Sequence, residues 1–210
     1  MKHVESYYAA TANPHEAWPE LQESIQCDVC IIGAGFTGLS AALFLTEAGY
    51  DVVVLEAARV GYGASGRNGG QVVNSYSRDV DVIEQRYGKE SARLLGSMMF
   101  EGAAIIRDRI DRYAIACAYR PGGIFAALNP RQMQHLRRQQ QLWEKYGNSD
   151  LELLDERGIR REVATERYVG GLLDRRGGHL HPLNLALGEA EAIRRHGGRI
   201  YERSAATEVK

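Results

Sequence analysis

The chain has 210 residues, 44% of them hydrophobic, and its 26 basic and 27 acidic side chains leave a formal net charge of −1. Such a balance gives no electrostatic attraction to nucleic acid or to an anionic membrane surface, and we expect neither as a partner. No apolar run reaches the length of a bilayer span, and the N-terminus lacks an apolar signal core, so we expect a cytoplasmic protein.

A βαβ unit is predicted near the start of the chain. Residues 1–25 are polar and are expected to lie as an arm on the surface. The apolar run Val29–Ile32 then predicts a strand, and Gly33–Gly38 have the pattern GxGxxG. Apolar residues at helical spacing follow, and Asp51–Leu55 predicts a second strand that ends at Glu56. This order of strand, glycine motif, helix and strand is typical of a dinucleotide-binding unit.

Each residue of the glycine motif has a physical role in that unit. Gly33 permits the tight turn, Gly35 leaves room for a pyrophosphate beside the backbone, and Gly38 lets the helix approach the strand. The helix N-terminus presents amide groups and the positive end of its dipole to the phosphates. Glu56 can accept hydrogen bonds from ribose hydroxyls and would repel a 2′-phosphate, which disfavours NADP.

A glycine-rich loop, residues 59–71, follows Glu56 and contains two arginines. Successive backbone amides in such a loop can form an anion-binding nest, and Ser65 can bond a phosphate oxygen. FAD needs a second contact region of this kind because its ring system extends beyond the βαβ unit. The alternative interpretation is a flexible surface loop, which glycine content alone would favour.

The remaining elements are predicted from periodicity and turn signals. In chain order they are a long amphipathic helix over Lys89–Ala116, two short strands around a Pro-Gly-Gly turn within Ala118–Leu128, a helix over Pro130–Tyr146, a strand over Leu151–Leu154, a short helix capped by Asp155 and reaching Val163, a turn within Gly170–Pro182, a helix to about His196, and a strand over Arg199–Glu202.

No metal site is expected. Cys27 and Cys30 form a CxxC pattern, but residues three apart on a strand point to opposite faces, so we interpret both as strand packing. Cys117 is predicted to be a buried thiol at a helix end. His179 and His181 lie among glycines before Pro182, and we expect them to shape that turn rather than bind metal.

The segment Cys27–Glu56, together with the run Arg59–Gln71, resembles the FAD-dependent amine and D-amino-acid oxidase superfamily, which contains sarcosine and glycine oxidases. The opening segment Ser6–Asn13 and the run Gly63–Asp79 are similar to one bacterial branch of that superfamily. The resemblance implies non-covalent FAD, a small-molecule amine substrate, hydride transfer to the flavin, hydrolysis of the imine to an aldehyde, and reoxidation by O₂ to H₂O₂.

The resemblance and the motifs together give a set of expected cofactor contacts. They are Gly33, Gly35, Phe36, Thr37, Gly38, Glu56, Arg59, Gly63, Ala64, Ser65, Arg67, Asn68, Gly69, Gly70, Gln71 and Ala206. We assign no catalytic residue, because a neutral amine can deliver a hydride without an obligatory protein base. Arg67 and Tyr76 are candidates near the expected flavin edge.

The fold that the resemblance implies is α/β: a Rossmann-like FAD-binding domain of the glutathione-reductase type, with part of an α+β substrate domain inserted. It divides the chain into an arm over 1–25, the FAD-binding βαβ unit and flavin loop over 26–80, an excursion over 81–178 that includes part of the substrate domain, and a return over 179–210. Because the resemblance covers about the N-terminal half of such an enzyme, we expect a chain that is truncated at its C-terminus.

Two other classes of protein remain open at this point. An NAD-dependent dehydrogenase shares the βαβ unit but leaves the glycine-rich loop unexplained. A dinucleotide-binding fragment without turnover is the third possibility. Within the oxidase superfamily, glycine, sarcosine or a D-amino acid are alternative substrates.

Overall fold

The computed structural model describes residues 2–76 and 80–209, so the part of the run Gly63–Asp79 that covers residues 77–79 lies outside the described residues. The chain forms two compact units. The first comprises Met1–Gly70, Arg109–Ala118 and Leu180–Lys210, and the second comprises Gln71–Asp108 and Tyr119–His179.

The helices and strands are numbered in chain order. They are α1 (Tyr7–Ala10), β1 (Val29–Ile32), α2 (Phe36–Glu47), β2 (Val52–Leu55), a 3₁₀-helix (Ala64–Gly66), β3 (Gln71–Val72), α3 (Val80–Arg112), β4 (Arg120–Ala127), α4 (Pro130–Lys145), β5 (Leu151–Asp155), α5 (Glu156–Glu162), β6 (Gly170–His179), α6 (Pro182–Arg195) and β7 (Arg199–Tyr201).

The first unit is built on a parallel sheet of order β1-β2-β7. Val29 pairs with Val52, and Val53 pairs with Arg199, so β2 is the central strand. Its residues Val52–Val54 are buried, as the continuous apolar run requires. Leu39 and its neighbours on α2 join one core with α6. The predicted βαβ unit is therefore confirmed, and the mixed α/β class with it.

A buried ion pair lies within the first unit. The guanidinium of Arg109 donates to the Glu189 carboxylate at 2.7 Å and to Ser40 Oγ at 3.0 Å, and both charged side chains are 4% exposed. Burial raises the pKa of Glu189, and the neighbouring Arg109 opposes that rise. The pair joins the last turn of α3 to α2 and α6.

The second unit is built on an antiparallel sheet in which β6 pairs with β3, β4 and β5. No strand was predicted within Gly170–Pro182, but residues 170–179 form this ten-residue strand, and only residues 180 and 181 connect it to α6. The glycines of β6 do not form a turn but lie within the strand. A side chain at Gly171 would press on Phe125 O at 3.0 Å, so the absence of a Cβ there allows the neighbouring strands to approach.

The Pro-Gly-Gly sequence of β4 was also predicted incorrectly. β4 is one continuous strand, so these residues do not form a turn between two strands. Its register against β6 shifts between Pro121 and Gly123, where one residue of β4 lies opposite residues 175–177 of β6, so the bulge is in β6. The long helix α3 begins earlier than predicted, at Val80, and has a kink at Gly88, where φ is 84°. It ends at Arg112, before the predicted end at Ala116.

The two other helices of the second unit begin where they were predicted to begin. Asn129 Oδ1 accepts from Gln132 N–H at the start of α4, and Asp155 Oδ1 accepts from Gly158 N–H at the start of α5. Trp143 of α4 is fully buried against Phe125 of β4. These helices cover the sheet and complete its core.

Candidate cofactor site

The GxGxxG turn joins β1 to α2 with little space to spare. Gly33 has φ of +99°, and its amide donates to Leu55 O at 2.8 Å, which fixes the end of β1 beside the end of β2. A Cβ on Gly38 would overlap the carbonyl oxygen of Gly33. Gly38 is thus required by the contact between helix and strand, as the motif predicts.

Gly35 is surrounded differently. It is the N-cap residue of α2 and has no side chain to cap the helix. A Cβ built on it would meet only the Ser65 hydroxyl, at 2.9 Å, and no backbone atom within 4 Å. The space beside Gly35 therefore borders the first amides of α2, whose N–H groups have no carbonyl partner within the helix. This cradle is of the kind that a pyrophosphate requires.

Glu56 lies directly after β2 and accepts two backbone hydrogen bonds. Ala34 N–H donates to Oε2 and Ala58 N–H donates to Oε1, each at 2.8 Å. A carboxylate has about four acceptor positions, so both oxygens retain capacity for hydroxyl donors. The same two bonds hold the carboxylate beside the GxGxxG turn, where a ribose of a bound dinucleotide would need it.

The glycine-rich loop is ordered by Asn68. Its Nδ2 donates to Ala64 O at 3.2 Å and to Ser65 O at 2.9 Å, and its Oδ1 accepts from Gly70 N–H at 2.8 Å. Leu180 N–H donates to Gly70 O at 2.8 Å. These bonds are inconsistent with a flexible surface loop, the alternative that the glycine content had left open.

Ser65 connects this loop to the GxGxxG turn. Its Oγ accepts from Phe36 N–H, the first amide of α2, at 2.9 Å, and Gly61 N–H donates to Ala34 O at 2.9 Å. The structure thus brings the loop residues 63–70 together with Gly33–Gly38 and Glu56. Thr37 is exposed in the first turn of α2.

Arg59 has a protein partner that sequence analysis did not identify. Its Nη1 lies 2.9 Å from Glu202 Oε2, and Val60 N–H donates to Glu202 Oε1 at 2.9 Å. Glu202 is 1% exposed, so this pair fixes the start of the loop to the end of β7. An acidic residue at the end of a predicted strand was the available signal for it.

The two candidates for the flavin edge are placed in different units. The Arg67 guanidinium lies over the Tyr62 ring, 4.5 Å from its centroid, and is exposed. Tyr76 belongs to the second unit, as does Gln71, and its hydroxyl donates to Leu95 O at 2.7 Å. Burial raises the pKa of Tyr76. Neither residue is placed against a reacting group here.

The chain after β7 returns to Glu56 by backbone bonds. Glu56 N–H donates to Tyr201 O, and Ser204 N–H donates to Glu56 O, each at 2.9 Å. Ala206, two residues further, is exposed. β7 itself ends at Tyr201, one residue earlier than predicted.

The histidine and cysteine positions differ in part from expectation. His179 is the last residue of β6, paired with Gln71, and His181 caps α6 through its side chain. Cys30 is exposed on β1 and not packed, whereas Cys117 is buried as predicted. Across residues 2–76 and 80–209, no group of three or more His, Cys, Asp or Glu side chains could hold a metal ion. None of the described helices is long and apolar enough to cross a bilayer.

The chain is similar to several known proteins. The chain is 64% identical over 209 residues to γ-glutamylputrescine oxidoreductase of Escherichia coli (strain K12), which covers 100% of this chain and 49% of that protein. L-Amino acid deaminase of Proteus myxofaciens matches 95% of this chain and 43% of its own, with a TM-score of 0.77 and 18% identity. Glycine oxidase of Bacillus cereus matches 88% and 48%, with a TM-score of 0.65 and 23% identity.

The chain spans about half the length of the curated relatives that it matches. The predicted superfamily, its Rossmann-like fold and its FAD cofactor are confirmed by the family model, named FAD dependent oxidoreductase, which matches residues 28–210. By that match and by the architecture of its first unit, the chain belongs to the DAO family of FAD-dependent oxidoreductases.

Proposed function

We propose that the protein carrying this chain is an FAD-dependent amine oxidase that acts on γ-glutamylputrescine in putrescine catabolism, in the cytoplasm. The observation that carries the proposal is the 64% identity to the Escherichia coli γ-glutamylputrescine oxidoreductase, which extends over the whole chain and includes the GxGxxG turn and the glycine-rich loop.

FAD supplies the redox chemistry when bound: it accepts a hydride from the amine-bearing carbon and returns the electrons to O₂ as H₂O₂. The residues of this chain hold and orient the cofactor. The first amides of α2, beside Gly35, bind the pyrophosphate, and the Glu56 carboxylate binds the adenosine ribose.

The glycine-rich loop supplies the second contact region in this proposal. Its contacts are made by residues 63–71, with Asn68 fixing the backbone conformation. Arg59 acts indirectly, because its guanidinium is paired with Glu202. Ala206 lies on the segment that returns to Glu56, and we propose that its backbone contacts the adenine. The second unit is proposed to be part of the substrate domain.

The proposal is tested with the full-length protein that contains this chain. We expect the purified protein to show a flavin absorption spectrum that bleaches on anaerobic mixing with γ-glutamylputrescine. Admission of O₂ should restore the spectrum and release H₂O₂. Putrescine is the matched control substrate, because it offers the same primary amine without the γ-glutamyl group, and it should reduce the flavin more slowly.

Two results would contradict the proposal in different ways. If sarcosine or a D-amino acid reduced the flavin rapidly and γ-glutamylputrescine did not reduce it, the protein would belong to another branch of the family. Reduction by γ-glutamylputrescine without H₂O₂ on aeration would retain the substrate but identify a dehydrogenase that uses another electron acceptor.

A further inference from the structure

The N-terminal arm is fastened to the start of α6 by a small group of polar side chains within the first unit. We call this group the arm latch: Tyr8, Thr11 and Asn13 of the arm, with His181 and Asn184 of α6. Asn13 N–H donates to Asn184 Oδ1 at 2.8 Å, and Asn13 Nδ2 donates to Ala116 O at 2.7 Å. The remaining contacts of the latch converge on His181.

The hydrogen bonds of His181 define one protonation state. Its Nδ1 accepts from Asn184 N–H at 3.1 Å, which is the N-cap bond of α6, so Nδ1 carries no proton. Its Nε2 lies 3.1 Å from Thr11 Oγ1. The Thr11 hydroxyl already donates to Tyr7 O at 2.6 Å, so Oγ1 must accept from Nε2–H. The latch therefore requires the neutral imidazole with its proton on Nε2.

The surroundings of His181 favour that neutral state. The Tyr8 ring meets the imidazole edge-on with centroids 5.0 Å apart, and the Tyr7 ring lies at 6.4 Å. His181 N–H donates to Cys117 O at 2.7 Å, and the residue is 9% exposed. Burial lowers the pKa of His181.

The titratable groups on the elements packed against His181 do not compensate a positive charge there. They are the Tyr7 and Tyr8 phenols of α1 and, on the segment after α3, the Tyr113 phenol and the Cys117 thiol. The charged side chains of α6 itself are Glu189, Glu191, Arg194 and Arg195, and they begin about two turns further along the helix. Glu189 is already paired with Arg109.

We propose that the arm latch is a pH-sensitive device in which neutral His181 holds the N-terminal arm on α6 and protonation of His181 releases it. A proton on Nδ1 would face Asn184 N–H, so two donors would meet and the N-cap bond would be lost. The new positive charge would also lie at the positive end of the α6 dipole. Both effects oppose the latched state.

The direction of the pH dependence follows from the lowered pKa. Released His181 titrates near its ordinary value of about 6.5, whereas latched His181 titrates below it. The released state therefore binds more protons, and the latched state is favoured above about pH 6.5 and loses that advantage as the pH falls. A fall of two pH units across this range raises the opening equilibrium by up to about tenfold, the limit set by a released imidazole with a pKa of about 6.5.

Release of the arm has a structural consequence. Arm residues 13–19 form one wall of a cavity of about 730 Å³, whose other walls are residues 113–116 and the face of α6 from Asn184 to Arg195. Asn13 belongs both to that wall and to the latch, so opening the latch breaks its hydrogen bonds to Asn184 and Ala116 at one end of the cavity.

Amide hydrogen exchange of the full-length protein tests this proposal. The opening constant of residues 7–13, corrected for intrinsic exchange rates, is measured at pH 7.5 and 5.5. We expect it to rise at the lower pH in the wild type, by up to about tenfold. The variant His181→Asn retains a side-chain acceptor at the N-cap but cannot titrate, so its opening constant should be the same at both pH values.

His135→Asn, which changes an exposed imidazole on α4, is the matched control and should retain the wild-type rise. A wild-type arm that opens equally at both pH values, or a His181→Asn variant with the full rise, would overturn the proposal. If His181→Asn does not fold, Thr11→Val gives the second test. It removes the acceptor of Nε2–H, and the arm should open more at pH 7.5 with a smaller rise on acidification; an unchanged arm would equally overturn the latch.

Discussion

Two glycine-rich segments of this chain face each other, and each contains glycines that serve two opposite purposes. In the GxGxxG turn, Gly38 is required by protein contact, because a Cβ would overlap Gly33 O, whereas Gly35 borders no backbone atom within 4 Å. In the glycine-rich loop, a Cβ on Gly66 would overlap Gly61 O, whereas Gly63 has nothing within 4 Å. Each segment thus contains glycines that the fold requires and glycines that leave space.

The comparison distinguishes glycines that affect the stability of the fold from glycines that affect ligand binding. A glycine whose Cβ would strike a backbone atom should affect folding when replaced, because backbone cannot move aside cheaply. A glycine beside open space should affect only what enters that space. In the GxGxxG turn the position within the motif distinguishes the two kinds, but the glycine-rich loop has no such pattern, so sequence alone cannot distinguish them there.

Gly38→Ala should have the largest effect. Its methyl group would push α2 away from β1, and we expect the free energy of unfolding to fall by about 3 kcal/mol. Chemical denaturation of the full-length apoprotein measures it. Gly63→Ala is the matched control, with an expected change within about 0.5 kcal/mol. If the two variants were equally stable, the contact at Gly38 would not restrict the fold.

Gly35→Val should separate binding from folding. The added Cβ would meet Ser65 Oγ at 2.9 Å, and the side chain would fill the space beside the first amides of α2. We expect FAD affinity to fall by more than about a hundredfold, or roughly 3 kcal/mol, with little loss of apoprotein stability. The flavin content of the purified protein and titration of the apoprotein with FAD measure this. Stoichiometric flavin in the variant would show that the pyrophosphate does not bind beside Gly35.

Glu56→Ala should have an intermediate effect on both properties. It removes the acceptor of two backbone amides, Ala34 N–H and Ala58 N–H, as well as the proposed ribose contact. We expect FAD binding to weaken by about 1–3 kcal/mol. Glu56→Gln retains a carbonyl acceptor and should lose less. An unchanged FAD dissociation constant in Glu56→Ala would mean that the carboxylate stabilises the fold and does not contact FAD.

Ser65→Ala should have the smallest effect. It removes the acceptor of Phe36 N–H, a bond of 2.9 Å between the two glycine-rich segments. We expect a loss of about 1 kcal/mol in apoprotein stability, as for a typical hydrogen bond. A larger loss in FAD affinity than in stability would indicate that the hydroxyl also contacts a phosphate, and the difference between the two losses measures that contact.

Some elements of this fold could be predicted from the sequence, and others could not. The βαβ unit was predicted to within a residue or two, because its strands are continuous apolar runs and its glycine motif has one structural context. The strand β6 was missed, and the Pro-Gly-Gly segment of β4 was predicted as a turn, because glycine content does not say whether a missing Cβ serves a turn or a close approach of strands. Glu202 was missed because its partners, Arg59 and Val60, are more than 140 residues away in sequence.

The central position of β6 has a consequence for the order in which the chain folds. Every described ladder of the second sheet includes β6, and its partners β3, β4 and β5 all precede it in sequence. A ribosome that has synthesised residues 1–169 has therefore released three strands with no partner. Pairing over such separations is slow, and unpaired strands attract other chains. Synthesis of residues 170–179 is thus the step that allows the second unit to fold, and translation slowing just before residue 170 would lengthen the time that the nascent chain spends exposed to aggregation.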